Sequence, residues 1–147
     1  MATVELLPPR TEADWRAYHD IRRRVLFELR GVGHKYDANH PDDTKAGNHP
    51  LILFEDGRAV GVIRVDIHGP VAMFRRVAID DRLQRRGLGR RMLMLAESFA
   101  AQHGCRDIES HVDLDAVEFY ARCGFLVVKP PGRRDKSVVM SKAVSSE

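Results

Sequence analysis

Two short stretches of this 147-residue chain carry residue types at spacings that can do chemistry. The first is Gln84-Arg85-Arg86-Gly87-Leu88-Gly89-Arg90, which follows the apolar run Val77-Ala78-Ile79 and opens a segment of helical spacing. Glycines let a backbone wrap closely around an anion, because no side chain stands in the way. A helix that begins there offers unpaired N–H groups and the positive end of its dipole. Flanking arginines add charge-assisted hydrogen bonds to the same oxygens. The combination reads as a diphosphate cradle. The second stretch is Asp113 to Phe125, in which Tyr120 stands with two other aromatics, Phe119 and Phe125.

Two other phosphate loops fail on named residues. A P-loop needs Lys-Ser/Thr after its last glycine, and none follows Gly89. A dinucleotide fold wants a third glycine where Met92 stands. It also needs a parallel strand–helix–strand start, whereas the segment before this loop reads as an antiparallel meander.

The elements that must position these stretches follow from periodicity. Leu6 to Pro9 reads as a short opening strand, and Thr11 caps a helix whose apolar positions Trp15, Tyr18, Ile21, Val25 and Leu29 recur at helical spacing up to Gly31. Val32 to Asn48 is polar and reads as a long loop, of the kind that often carries function. Leu51–Glu55, Arg58–Ile67 and Val71–Ile79 form the meander, its first turn at Asp56-Gly57. From Leu88 the apolar residues fit a helix closed by Gly104. Asp107–Val112 is a strand, Asp113–Cys123 a second short helix, and Phe125–Lys129 and Val138–Met140 are closing strands. Such an order argues for one α/β layer with a mixed sheet.

Composition bounds the function classes. A hydrophobic fraction of 44% and a charged fraction of 31% fit a soluble globular protein and neither disorder nor a membrane span. No export signal is expected at the N-terminus. Cys105 and Cys123 make neither a disulfide framework nor a metal spacing, so a cytoplasmic location and no metal are expected. The net charge is only +3, but seven arginines crowd positions 75–91, a block that can meet the phosphates of a nucleic acid or of a small cofactor.

Gln/Arg-x-x-Gly-x-Gly/Ala directly before a helix is the coenzyme A signature of the GNAT superfamily of N-acetyltransferases, and this sequence resembles it closely over residues 50–142. The Asp113–Phe125 block looks like the family's Asn-x-x-Ala-x-x-Phe-Tyr-x-x-x-Gly-Phe, with Asp113 in place of the usual Asn. The resemblance implies one GNAT domain over residues 1–147. Its fold would be α/β (α+β), a mixed, mostly antiparallel sheet of six to seven strands flanked by about four helices. It implies acetyl-CoA as co-substrate, with no metal, and direct attack by a small-molecule or peptide amine. The absence of a Gly-x-Ser-x-Gly elbow fits a route without an acyl-enzyme. The backbone of Val77, Ala78 and Ile79 would pair with the pantetheine arm. Arg85, Arg86, Gly87, Leu88, Gly89 and Arg90 would hold the diphosphate, Asp113 would accept a pantetheine N–H, and Tyr120 would protonate the departing thiolate.

For the general base, Met73 and Phe74 occupy the stretch where many relatives have a glutamate. Glu109, on the Asp107–Val112 strand, is the best side-chain candidate, His111 on the same strand face is a second, and deprotonation through water is the alternative. Ile21-Arg22-x-x-Val25-Leu26 faintly resembles a segment of the subgroup related to acyl-homoserine-lactone synthases, and the carboxylates of Asp37, Asp42 and Asp43 would draw a cationic amine. Two other readings stay open: a non-catalytic coenzyme-A-binding sensor or partner protein, and a nucleic-acid-binding module. The second lacks interleaved aromatics and any recognition helix. No nucleic acid or membrane partner is expected, and a homodimer is compatible with the sequence.

Overall fold

The computed structural model describes residues 3–84 and 86–145. A seven-stranded sheet organises them. Its strands in chain order are β1 (Val4–Leu7), β2 (Asn48–Glu55), β3 (Arg58–His68), β4 (Val71–Ile79), β5 (Asp107–Asp113), β6 (Leu126–Val127) and β7 (Ser137–Ala143). Their spatial order is β1-β2-β3-β4-β5-β7-β6. Every neighbouring pair is antiparallel except β4 and β5. A parallel step needs a crossover, and it is supplied by α2 (Leu88–Gln102).

The other α-helices among the described residues are α1 (Glu12–Arg23) and α3 (Val117–Arg122). The Thr11 hydroxyl accepts from the Asp14 N–H at 3.0 Å, the N-cap that the sequence suggests. The helical periodicity through Leu29 resolves differently: α1 gives way to a π turn over Arg24–Glu28. Two 3₁₀ turns, Gly33–Lys35 and Pro41–Asp43, stand in the polar loop where a fourth helix would have fitted. The opening strand lies two residues earlier than expected, because Pro8 and Pro9 cannot donate to a ladder. Of the strand expected over Phe125–Lys129, only Leu126 and Val127 pair, with Met140 and Ser141 of β7.

Both faces of the sheet are covered. α2 and α3 pack Leu88, Met92, Leu93, Ala96, Ala100 and Tyr120 on Leu51, Leu53, Val65, Phe74, Ile108 and Met140. α1 covers the opposite face, with Tyr18 and Ile21 against Ile52, Val62 and Ala78. Full burial of one such aliphatic or aromatic side chain contributes about 1.5–3 kcal/mol. No helix among the described residues is long and apolar enough to cross a membrane.

Candidate active site

β4 and β5 pair over only four positions, from Val71 opposite Asp107 to Phe74 opposite Ser110. A bulge then interrupts β4 against β3, between the partners of Val62 and Arg64. Within it Arg76 takes φ = 55°, a left-handed conformation that L side chains rarely adopt. Beyond Phe74 and Ser110 the two strands part. The wedge between them is a cleft of about 620 Å³, with Val77, Ala78 and Ile79 on one wall and Val112 and Asp113 on the other. Its far end is Gly87, Leu88, Gly89 and Arg90 at the start of α2, and Phe119 and Tyr120 of α3 also line it.

The glycine turn can receive an anion. Gly87 caps α2 with φ = 73°, and no side chain caps the first turn, which also holds no acidic residue. The helix dipole and its unpaired N–H groups therefore face the cleft end unneutralised. Gly89 answers a different need: a Cβ there would lie 3.1 Å from Phe119 Cζ and 3.8 Å from Ile79 Cγ1, inside the cleft.

The loop before the turn is tied down. Gln84 Nε2 donates to the Ile79 carbonyl at 2.8 Å. Asp80 accepts from the Arg82 N–H and guanidinium at 2.9–3.0 Å, and Arg24 of the π turn reaches both Asp80 (3.1 Å) and Asp81 (2.6 Å). The Arg82 hydrogen bonds, aided by Arg24, hold the Asp80 carboxyl down at about 2. The π turn thus aims Arg24 at the loop, and its neighbours Val25 and Leu26 line the cleft.

Tyr120 is 7% exposed, set edge-on against Phe119 and Phe125. Burial pushes its phenol up to about 12, against a smaller opposing effect of the Ser110 hydroxyl, so it is protonated and a donor at neutral pH. Burial likewise raises the Cys123 thiol, which packs against the core and is no thiolate nucleophile. Asp113 forms an ion pair with Arg30 at 2.9 Å, both side chains lining the cleft.

Of the residues singled out by sequence, Val77, Ala78, Ile79, Gly87, Leu88, Gly89, Arg90, Asp113 and Tyr120 all line this one cleft. Arg86 does not: its guanidinium lies 3.2 Å from both carboxylate oxygens of Glu55, leaving only its backbone for the turn. Arg85 lies outside the described residues. Glu109, opposite Met73 where β4 and β5 still pair, lines neither cavity. His111 stands one residue past the last pair and lines the cleft.

Sequence reading missed Arg30, Arg76 and Ser110. The break of alternation at Arg75-Arg76 was the available signal for the bulge. Behind the sheet, a second cavity of about 660 Å³ shares Phe74, Arg76 and His111 with the cleft. The carboxylates that line it, Asp42 and Asp66, and the neighbouring acids Asp37 and Asp43 already have partners. Asp43, 5% exposed, lies 2.7 Å from Arg22, and Asp66 takes a two-pronged bond from Arg64 at 2.8 and 2.9 Å. Asp42 lies 4.0 Å from Arg64, while Asp37 is exposed and accepts from the Asn39 N–H at 2.8 Å in its own turn. The expected attraction of a cationic amine to these acids is accordingly weakened by their own partners.

The acetyltransferase (GNAT) family model matches residues 12–125. The chain is 31% identical over 108 residues to the chloroplastic GCN5-related N-acetyltransferase 4 of Arabidopsis thaliana, a match spanning 61% of this chain and 37% of that relative. The crystal structure of a Lactobacillus plantarum protein assigned as an N-acetyltransferase superposes with a TM-score of 0.80 at 25% identity, covering 98% of this chain and 99% of the other. The PaiA N-acetyltransferase of Thermoplasma acidophilum, solved in complex with coenzyme A, shares the fold with a TM-score of 0.76 at 17% identity, covering 96% and 99% of the two chains.

Proposed function

The chain belongs to the GNAT acetyltransferase family, and from that premise we propose that it transfers an acetyl group from acetyl-coenzyme A directly to an amine of a small molecule or peptide. One observation carries the reading: the parting of β4 and β5 opens a cleft that ends on the uncapped N-terminus of α2. A long thin ligand with a diphosphate at one end fits that shape and polarity. The coenzyme A complex of the Thermoplasma relative is in keeping with it.

The amides of the Gly87–Arg90 turn would bind the diphosphate, and the splayed backbone of Val77–Ile79 would pair with the pantetheine amides as an added strand would. Bound acetyl-coenzyme A supplies an activated acyl group with a thiolate leaving group. Tyr120, held protonated by its burial, donates its proton to that sulfur as it departs. Asp113, an acceptor only, takes a pantetheine N–H while Arg30 balances its charge. His111, at the junction of the two cavities, takes the proton from the attacking amine, directly or through one water. Glu109, the other candidate, lines neither cavity. Both cysteines are free, in keeping with a reducing cytoplasm.

Two measurements test the reading. Acetyl-coenzyme A should raise the thermal midpoint of the purified protein, since a ligand bound only by the folded form stabilises it. Free thiol should then appear on addition of amines from a mixed panel. Binding without turnover on any amine would favour a sensor, and no binding would sink the assignment.

A further inference from the structure

The second cavity meets the cofactor cleft at Phe74, Arg76 and His111, so under the proposed function it is where the acceptor amine must lie. Its charges do not balance. Its lining acids Asp42 and Asp66 are held by Arg64 and Arg75, and Asp43, outside the lining, pairs with Arg22, through contacts of 2.7 to 4.0 Å. Arg76 and Lys45 also line the cavity, and neither has a carboxylate partner among the described residues. Two positive charges are left over.

Arg76 is the more telling of the two. Its left-handed φ of 55° is strained in a non-glycine residue, and such strain clusters where function demands it. Its guanidinium lies over the Phe27 ring at 5.6 Å, and Arg76 lines both cavities. Burial and the like charges of Arg22, Arg64 and Arg75 pull its pKa below the ordinary value, so an arriving anion would relieve it. The same positive surplus favours the uncharged form of an amine bound there, the form that attacks.

We propose that the acceptor carries an anionic group, a carboxylate or a phosphate, beside its amine, and that Arg76 and Lys45 bind that group. This rests on the acetyl-transfer reading, yet the two fail separately. Thiol release is followed with acetyl-coenzyme A and matched amines: glycine, alanine and glutamate against their carboxamides, phosphoethanolamine against ethanolamine, and spermidine. The anionic members should turn over with at least about tenfold higher kcat/KM, the scale of a lost charge-assisted hydrogen bond. The glycine and phosphoethanolamine arms separate carboxylate from phosphate. Arg76→Asn, which suits the left-handed backbone, and Lys45→Gln at an exposed position should each erase most of that preference through the acceptor's KM, and Lys45→Gln, outside the cofactor cleft, should leave acetyl-coenzyme A affinity unchanged. Equal or better turnover of carboxamides, ethanolamine or spermidine overturns the proposal and leaves acetyl transfer standing. Should no amine react, calorimetry on the coenzyme-A-loaded protein decides it. N-acetylglycine or inorganic phosphate binding in the wild type but not in the two variants supports the anion site, and no binding of either overturns it.

Discussion

Phe74 and Ser110 form the last register pair between β4 and β5, and the Ser110 hydroxyl donates to the Phe74 carbonyl at 3.1 Å. One bond therefore closes the paired half of the two strands where the open half begins. Phe74 lines both cavities, Ser110 lines the cleft beside Tyr120, and His111 follows directly. The proposed acid, the proposed base and the proposed acceptor cavity meet at the point where a parallel ladder stops.

Tyr120→Phe should lower kcat by about 10²-fold or more, the usual scale for a lost general acid, with the KM for acetyl-coenzyme A little changed. Because burial holds the phenol up at about 12, no fall in wild-type kcat assignable to Tyr120 is expected below pH 10. Steady-state thiol release across the pH range checks both statements. Unchanged kcat in the variant would remove the acid role and leave the side chain as packing against Phe119 and Phe125.

Gly89→Ala and Gly87→Ala separate ligand space from backbone conformation. The Cβ at 89 would press Phe119 Cζ at 3.1 Å within the cleft, so acetyl-coenzyme A affinity should drop about tenfold, or ~1.4 kcal/mol. No atom lies within 4 Å of a Cβ at 87, but φ there is 73°, so that variant should lose about 1–2 kcal/mol of stability. Calorimetric titration and urea unfolding of both proteins provide the comparison. Identical effects in the two would refute the distinction.

The sheet was legible in sequence because β-branched runs and the Asp56-Gly57 turn are local signals, and the candidate coenzyme A turn because Gly87 and Gly89 stand at the start of a periodic helix. What could not be read depends on pairing between distant segments. Glu109 and His111 share a strand face, yet only His111 stands past the last β4–β5 pair, and nothing near either residue says where pairing ends. The Arg75-Arg76 bulge is set by register against β3. Asp42 and Asp43 looked like free acids because Arg22 and Arg64, which hold them, lie about 20 residues away on either side.

Arg22→Met should destabilise the fold by about 3 kcal/mol, since removing one member of a buried pair leaves the other uncompensated. Arg22 and Asp43 are 4% and 5% exposed, and the remaining cation near Asp43, Arg64, is 3.8 Å away and already bound to Asp66. The thermal midpoint should fall by roughly 6–12 °C for a chain of this size. Arg22→Met combined with Asp43→Leu should recover most of the loss, because no buried charge is then left alone. Equal losses in the single and double variants would show that packing, not charge, governs the site.

Asp80 links stability to acidity. Its folded pKa, about 2 against an ordinary 3.8, is depressed chiefly by the Arg82 hydrogen bonds. A depressed carboxyl stabilises the fold while it is ionised, so its contribution is complete above about pH 4 and is lost as pH falls through about 2. Arg82 is 65% exposed, which screens the interaction. Asp80→Asn should therefore cost about 1–2 kcal/mol at pH 7, and the gap to wild type should narrow between pH 4 and 2, as read by denaturant unfolding at each pH. Acetyl-coenzyme A binding at pH 7 should weaken in parallel, because Asp80 also holds Arg24 at 3.1 Å and with it the loop that leads into Gly87. A stability gap that stays constant down to pH 2 would show that the ionised carboxylate is not what anchors that loop.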